Sequence, residues 1–456
     1  MVVLRSLAIL CLIGLLALVT SCTQRNDEPK HPNVLILMLD TLRADHMGVY
    51  GFERDTSPEL DAFARDNLNF TSMVSASNWT PASISSLFSG YYPTSHGMMP
   101  PNSRARARQM SGLAPNLETI AELLRKYGYQ TAGVSSNPWI TKEFGFDQGF
   151  GEFRYDSRAR AETINQHGFE LIEKLKQNSA PFFLYLHYLD PHDPYNPPEE
   201  YREIFKGQLK NTPYKYSQDM LDNIGLYNGE IRYLDTELGK LFRFLKEKEL
   251  YDDMMIIIIG DHGEQFEEHG NLGHGFSLYN EEVHVPLMIK PARKHLRARS
   301  ISETVSTVDI MPTIFSRIGV PTPPGYPGVS LLDRKAIKNR PAVMSEIRRI
   351  HDLKSVTTID GQRLVLSAPM DHNLDWEQAR PRWKEPRVVG WFDSRGKDTA
   401  EQKPVKDPAD KRVLELREHF NALYGEALKQ IITRMSDEPT EIREETLDQL
   451  ESLGYF

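Results

Sequence analysis

Two aspartates in this chain each close an uninterrupted apolar run. Asp40 follows Val34-Leu-Ile-Leu-Met-Leu39, and Asp261 follows Met254-Met-Ile-Ile-Ile-Ile-Gly260, with His262 directly after it. Apolar runs of this length read as strands buried on both faces. In a parallel sheet both carboxylates emerge at the same edge, where ligands bind in such folds. Two carboxylates and an imidazole form a mixed oxygen and nitrogen set suited to a divalent cation. Either aspartate alone is explained equally well as the cap of a following helix. The pair, with a histidine attached, reads as a metal site. Thr80-Pro81 then opens a helical run. Read as a helix cap with Pro at the first helical position, it needs no further role. The same placement sets a hydroxyl before free amides and a positive dipole end, which favours an anionic ester there. A bound cation would lower the pKa of that hydroxyl and make it a nucleophile.

The elements that must position these groups alternate. Strands are predicted at 34–39, 130–135, 182–188 and 254–259. Helices are predicted from Ser57-Pro58 to Ala64, at 116–127 and over 219–248. Strands separated by helices imply a parallel sheet covered on both faces. Beyond about Arg340 the character changes. Short strands at 343–346, 353–359 and 363–366, with Asp360-Gly361 between the last two, read as an antiparallel meander. Residues 371–410 are polar and irregular. A helix follows over 412–435, with Leu416, Phe420, Leu423 and Ile431 at helical spacing, and a second short one ends at Leu453.

At 456 residues, 26% charged and 40% hydrophobic, the chain is globular and large enough for one sizeable domain with an appendage. A net charge of -9 argues against nucleic acid as a partner. The N-terminus is set apart: Arg5 precedes an apolar run from Leu7 to Val19, then Thr20-Ser21-Cys22. That run has the layout of a secretory signal and is short for a bilayer span. Its end resembles the lipobox of bacterial lipoproteins, which implies cleavage before Cys22 and lipid attachment there. An ordinary signal peptide or an uncleaved anchor is the alternative. The lipobox reading makes the protein an exported lipoprotein, on the periplasmic side or the cell surface, held to the membrane through Cys22. Of two cysteines, Cys11 leaves with the signal, so no disulfide is expected. The expected division is a signal at 1–21, a tether at 22–31, a catalytic domain at 32–335 and an α+β part with terminal helices at 336–456.

Longer stretches around these residues resemble the sulfatase-like family of the alkaline phosphatase superfamily. They are Asn33 to Asp40 with Thr-Leu-Arg43-Ala-Asp45-His46, Thr56-Ser-Pro-Glu-Leu-Asp61, and Thr80 to Gly90 running into His96-Gly. Further along come Gly260-Asp261-His262-Gly263-Glu264, His269 to His274, and Val308-Asp309 to Thr313. The resemblance implies an alkaline phosphatase-like sandwich, with a central mostly parallel sheet flanked by helices and a small C-terminal antiparallel sheet. It implies Thr80 as nucleophile and Asp40, Asp261, His262 and Thr80 as metal ligands. It places His192, in Asp190-Pro-His192-Asp193-Pro, against the ester, and His274 where sulfatases keep a substrate-binding Lys. Each of these two could bind the anion or complete a second metal site. Asn78 joins them as a substrate-binding candidate. Asn78, His269, Arg43, His46 and His96 are equally well explained by a helix-facing salt bridge or a turn contact.

Departures from the family pattern select the chemistry. Sulfatases oxidise a Cys or Ser to formylglycine within Cys-x-Pro-Ser-Arg; here the Cys is Thr80 and the Arg is Ile84. A threonine could give only a ketone. Thr41 and His262 stand where the family has a second Asp and an Asn, an all-oxygen set suited to calcium. The mixed set fits zinc or manganese better, as one or two ions. The expectation is therefore a hydrolase or transferase of anionic esters, phosphate favoured over sulfate, with a small molecule, lipid headgroup or glycan as the alcohol. A sulfate-ester hydrolase acting without formylglycine and a non-catalytic envelope-binding lipoprotein are the alternatives. The basic stretches at 104–108 and 293–299 are read as solvated surface.

Overall fold

The computed structural model describes residues 31–101, 107, 112–207, 209–210, 212–292, 297–369, 383, 386–394, 400–431 and 442–453. The signal run, Cys22, Arg104, Arg106 and Arg108 lie outside the described residues.

A nine-stranded sheet forms the centre; from one edge it runs Arg299–Ile301, Leu68–Val74, His284–Lys290, Met254–Gly260, Asn33–Leu39, Phe182–Tyr188, Gln130–Ser135 and Glu152–Tyr155, with Val305–Ser306 also paired to Leu68–Val74. The strands that carry the argument are β1 (Asn33–Leu39), β3 (Gln130–Ser135), β5 (Phe182–Tyr188) and β6 (Met254–Gly260). These four pair in parallel as β6-β1-β5-β3. Antiparallel pairing enters only through β9 (His284–Lys290), against β6 and β2 (Leu68–Val74). Alternation along β1 feeds both faces. Val34, Ile36 and Met38 enter one apolar cluster with Ile84 and Phe88 of the helix Thr80–Ser89. Leu35, Leu37 and Leu39 enter another with Leu234 and Leu238 of the long helix Gln218–Glu247. Both faces of β1 are thus dry, which explains why its sequence is a continuous apolar run.

The C-terminal part holds the antiparallel sheet β12-β13-β14-β15. Three of its strands match the expected meander: Ala342–Arg348, Asp352–Thr358 and Gln362–Ala368. The fourth, Arg387–Asp393, lies inside the stretch read as irregular and corrects that reading. Its burial alternates along a half-exposed strand, and Gly390 and flanking polar residues dilute the signal. A helix, Lys411–Lys429, covers this sheet with Val413, Leu416 and Phe420. The expected helix at 116–127 is shorter, Ile120–Lys126, started by a Thr119–Glu122 capping box.

Candidate active site

The parallel register of β1 and β6 builds the core of the site. Leu39 is aligned with Gly260, so Asp40 and Asp261 leave adjacent strand ends side by side. Thr41 then turns with φ of 51°, a left-handed conformation that is strained for a β-branched residue. The turn has a visible use: the Thr41 amide donates to Asp261 Oδ1 at 3.1 Å, and the His262 amide donates to the same oxygen at 2.8 Å. Asp261 Oδ2 and Asp40 Oδ1 accept no hydrogen bond in a fully buried setting, and Asp261 Oδ2 lies 3.4 Å from His262 Nε2. Burial and the charge of Asp40 push the Asp261 pKa up. Burial acts the same way on Asp40, but the hydrogen bond from His187, first among several lowering influences, helps to outweigh it and bring its pKa down. Two buried carboxylates, each presenting an orphaned oxygen, fit a divalent cation.

Thr80 corrects one expectation. The helix is capped by Trp79, and Thr80 is the first helical residue, followed by Pro81. Its hydroxyl is therefore released from capping. Thr80 Oγ1 lies 3.0 Å from His262 Nε2. His262 Nδ1 lies 2.9 Å from the Gly263 carbonyl and donates to it, which in a neutral ring leaves the Nε2 lone pair facing Thr80. Gly263 has no alternative here, because a Cβ would stand 2.2 Å from the Glu281 carbonyl. Ser75 and Ser83 hydroxyls both donate to the Asp261 carbonyl, and so tie the segment before Thr80 and its helix to the end of β6.

Three residues missed by the sequence reading complete the core. His187 closes a cluster with Asp40 and Asp261 whose ligating atoms all lie within 4.8 Å of one another. Its Nε2 stands 3.0 Å from Asp40 Oδ2, and its Nδ1 stands 3.0 Å from Tyr185 OH. Asn137 donates to the same Asp40 oxygen at 2.6 Å. The available signal was a polar residue near the carboxyl end of the otherwise apolar stretch Phe182-Phe-Leu-Tyr-Leu-His-Tyr188.

His192 and His274 meet above the core, Nε2 to Nε2 at 3.3 Å, and the His274 ring packs on His262 at 4.2 Å between centroids. At 6% and 7% relative exposure they are slightly open, whereas Asp40, Thr80, Asp261 and His262 are at 0%. Access to Thr80 therefore runs past this pair. Burial, then the neighbouring His262 and His192, hold the His274 pKa well below the usual histidine value. Asn78 seats His274 through its backbone carbonyl, 3.2 Å from Nδ1, while its side-chain amide donates to the Ser277 carbonyl and to Glu282. The weaker candidates make local contacts. Arg43 pairs with Asp45 and Glu268, His46 with Asn228, His96 with Ser86, and His269 with Glu281.

Comparison with known proteins agrees with this fold. The family model described as Sulfatase matches residues 32–320. An "Ulvan-active sulfatase" of Formosa agariphila is 23% identical over 353 residues, 69% of this chain and 67% of that protein. A "Multifunctional alkaline phosphatase superfamily protein" of Trinickia caryophylli is 25% identical, over 66% of this chain and 76% of its own. The structure of a phosphonate monoester hydrolase of Agrobacterium radiobacter superposes with a TM-score of 0.66 at 20% identity, over 87% of this chain and 96% of that one.

Proposed function

The chain belongs to the sulfatase family, and from that premise we propose that it is a metal-dependent hydrolase or transferase of anionic esters that uses Thr80 itself as nucleophile, with phosphate esters favoured over sulfate. The observation that carries this reading is the 3.0 Å approach of Thr80 Oγ1 to His262 Nε2, beside the orphaned oxygens of Asp40 and Asp261. Asp40, Asp261, His262 and Thr80 would hold the cation. Their mixed donor set, with His262 Nε2 unprotonated, suits zinc or manganese better than calcium. When bound, such an ion supplies charge neutralisation and a lowered hydroxyl pKa at Thr80.

The chain's own groups account for the remaining steps. Thr80 sits at a helix N-terminus, which favours an anionic group on its hydroxyl. Its hydroxyl, made more acidic beside a bound cation, would release its proton to solvent; Oγ1 then attacks phosphorus in line, the bond to the alcohol oxygen breaks, and the product is phospho-Thr80. The His192–His274 pair, with Nε2 atoms facing at 3.3 Å, stands where it can hand a proton to the departing alcohol. Water or an acceptor alcohol then attacks the same phosphorus, Thr80 Oγ1 leaves and recovers a proton, and phosphate or a new ester departs. A cavity of about 190 Å³, bordered by His192, Asp190, Glu230 and Arg160, offers room for a compact alcohol portion. Asn78, which fixes His274, belongs to the substrate side of the site through that contact.

A sulfate-ester reading is supported by the sulfatase relative. Purified enzyme assayed against paired phosphate and sulfate esters, with both anions measured, separates the two. Preferential sulfate release would overturn the phosphate assignment. Metal analysis of the same sample discriminates both from a non-catalytic envelope-binding protein, which would bind no stoichiometric ion and release neither anion. Export as a lipoprotein anchored through Cys22 belongs to the same proposal and rests on the N-terminal sequence. Among the described residues no helix is long and apolar enough to cross a membrane. Lipid labelling that survives in Cys22→Ser would sink the anchor.

A further inference from the structure

Asp40 is gripped from behind by groups that no sequence motif marks. Its Oδ2 accepts from Asn137 Nδ2 at 2.6 Å and faces His187 Nε2 at 3.0 Å, while His187 Nδ1 faces Tyr185 OH at 3.0 Å. All four side chains are fully buried. The other oxygen, Oδ1, accepts no hydrogen bond, and neither does Asp261 Oδ2, whose near neighbour is His262 Nε2 at 3.4 Å. A carboxylate only accepts, so the ring nitrogen facing Oδ2 carries a proton. In a neutral imidazole that leaves Nδ1 as the acceptor, and the Tyr185 hydroxyl supplies its hydrogen. Burial pushes the Tyr185 pKa well above its usual value, which keeps the phenol a donor. Donation therefore runs from Tyr185 to His187 to Asp40, and it ends on the oxygen opposite the open one.

Strand pairing makes this arrangement rigid. His187 is aligned with Met38 of β1 on one side and with Ser135 of β3 on the other, and Asn137 follows two residues beyond Ser135. Three adjacent strand ends thus fix one carboxylate rotamer. We propose that His187, tethered by Tyr185 and aided by Asn137, is a positioning residue that holds Asp40 Oδ1 toward the divalent cation and sets how tightly the site binds it, without ligating the ion. This rests on the metal reading given above. The competing arrangement, with His187 Nε2 as a direct ligand, has to break the bond to Asp40 Oδ2 and leaves that oxygen with Asn137 alone.

The test uses the full chain stripped with a chelator and titrated with Co²⁺ and Zn²⁺ against a chromophoric competitor. The panel is wild type, His187→Ala, His187→Gln, Tyr185→Phe and the site control Asp261→Asn, each checked for folding by its metal-free melting curve. Partners behind a metal ligand are typically worth about 10- to 100-fold in affinity, so His187→Ala should weaken Co²⁺ binding by about that factor. Tyr185→Phe, a mild change that keeps the ring, should give a smaller loss in the same direction. His187→Gln, whose amide reaches Oδ2 as a donor, should recover most of the affinity. At saturation the visible Co²⁺ absorption band should coincide in wild type and all three variants. Unchanged binding in both His187→Ala and Tyr185→Phe would overturn the proposal. A shifted band in His187→Gln would overturn it by making His187 a ligand. Equal Co²⁺ binding by wild type and Asp261→Asn would instead remove the metal reading beneath it, a distinct result.

Discussion

Thr80 makes the sharpest claim at the scale of single residues. If its Oγ1 forms the covalent ester, Thr80→Ala should lower kcat on the preferred ester by at least about 1000-fold, while Thr80→Ser, which restores the oxygen, keeps a measurable fraction. Acid-quenched enzyme incubated with labelled phosphoester should carry label on a peptide containing residue 80. Full activity in Thr80→Ala would end this mechanism. Asp235 yields a different prediction, about stability. It accepts from the Glu59 and Leu60 amides at 3.1 and 2.8 Å, so it caps the helix Pro58–Asp66 from a neighbouring helix. Burial raises its pKa from 3.8 to about 7, despite those two donors. A folded pKa above the unfolded one means that this group's contribution is fully present below about pH 4 and is lost as pH rises through about 7. Over that window it should bend the stability curve by up to about 1.4 kcal/mol per pH unit. Asp235→Asn should flatten that segment when urea midpoints are compared at pH 5 and pH 8, and an unchanged difference would refute the assignment. The sequence assigned this cap to Ser57, whose hydroxyl instead bonds Asp61. A cap supplied from 175 residues away leaves no local trace. The placement of Asp40, Asp261 and His262 at adjacent strand ends was legible because strand ends announce themselves by apolar runs, whereas His187 was hidden inside such a run.

Strands and helices carry the site through contacts that cross between the two sheets. The strand Ala342–Arg348 belongs to the C-terminal sheet, yet its Glu346 amide donates to the Ala76 carbonyl at 2.9 Å and its Ser345 hydroxyl donates to the Ser75 carbonyl. Residues 75 and 76 lead directly into Asn78 and Thr80. The Glu346 carboxylate accepts from the Thr94 amide at 3.2 Å and pairs with Lys354, and both charged side chains are fully buried. Breaking such a pair from one side strands the other charge, at a cost of about 3–5 kcal/mol. Glu346→Ala should therefore lose that much in denaturant unfolding, and turnover should fall because the segment before Thr80 loosens. Adding Lys354→Met should restore most of the stability by removing the stranded charge. If the double variant is no more stable than Glu346→Ala, the pair is not the cause. The meander itself was readable from alternating patterns and the Asp360-Gly361 turn. Its crossing to residues 75 and 76 was not, because backbone hydrogen bonds between distant segments have no residue signature.

Across the whole molecule, the last helix decides whether the C-terminal part is an appendage. Leu447 and Leu450 of the helix Glu444–Ser452, with Ile442 and Leu453, enter the apolar cluster that packs on one face of the central sheet. Polar contacts fasten the same helix to the first half of the chain: Arg443 and Thr446 to Glu143, and Gln449 to Tyr155 OH at 2.8 Å. Burying each apolar side chain is worth about 1.5–3 kcal/mol, so deletion from residue 442 onward should remove several kcal/mol and lower the melting temperature by many degrees. With one strand holding the segment before Thr80 and one helix joining the main core, the two parts have few routes to unfold separately. Calorimetry of the full chain should then show one cooperative transition, and a chain ended at residue 335 should fail to fold, since it exposes both contact faces. Two resolved transitions, or a stable and metal-binding fragment 32–335, would show instead that the boundary expected near 335 separates independent folding units and that the crossing contacts only dock them.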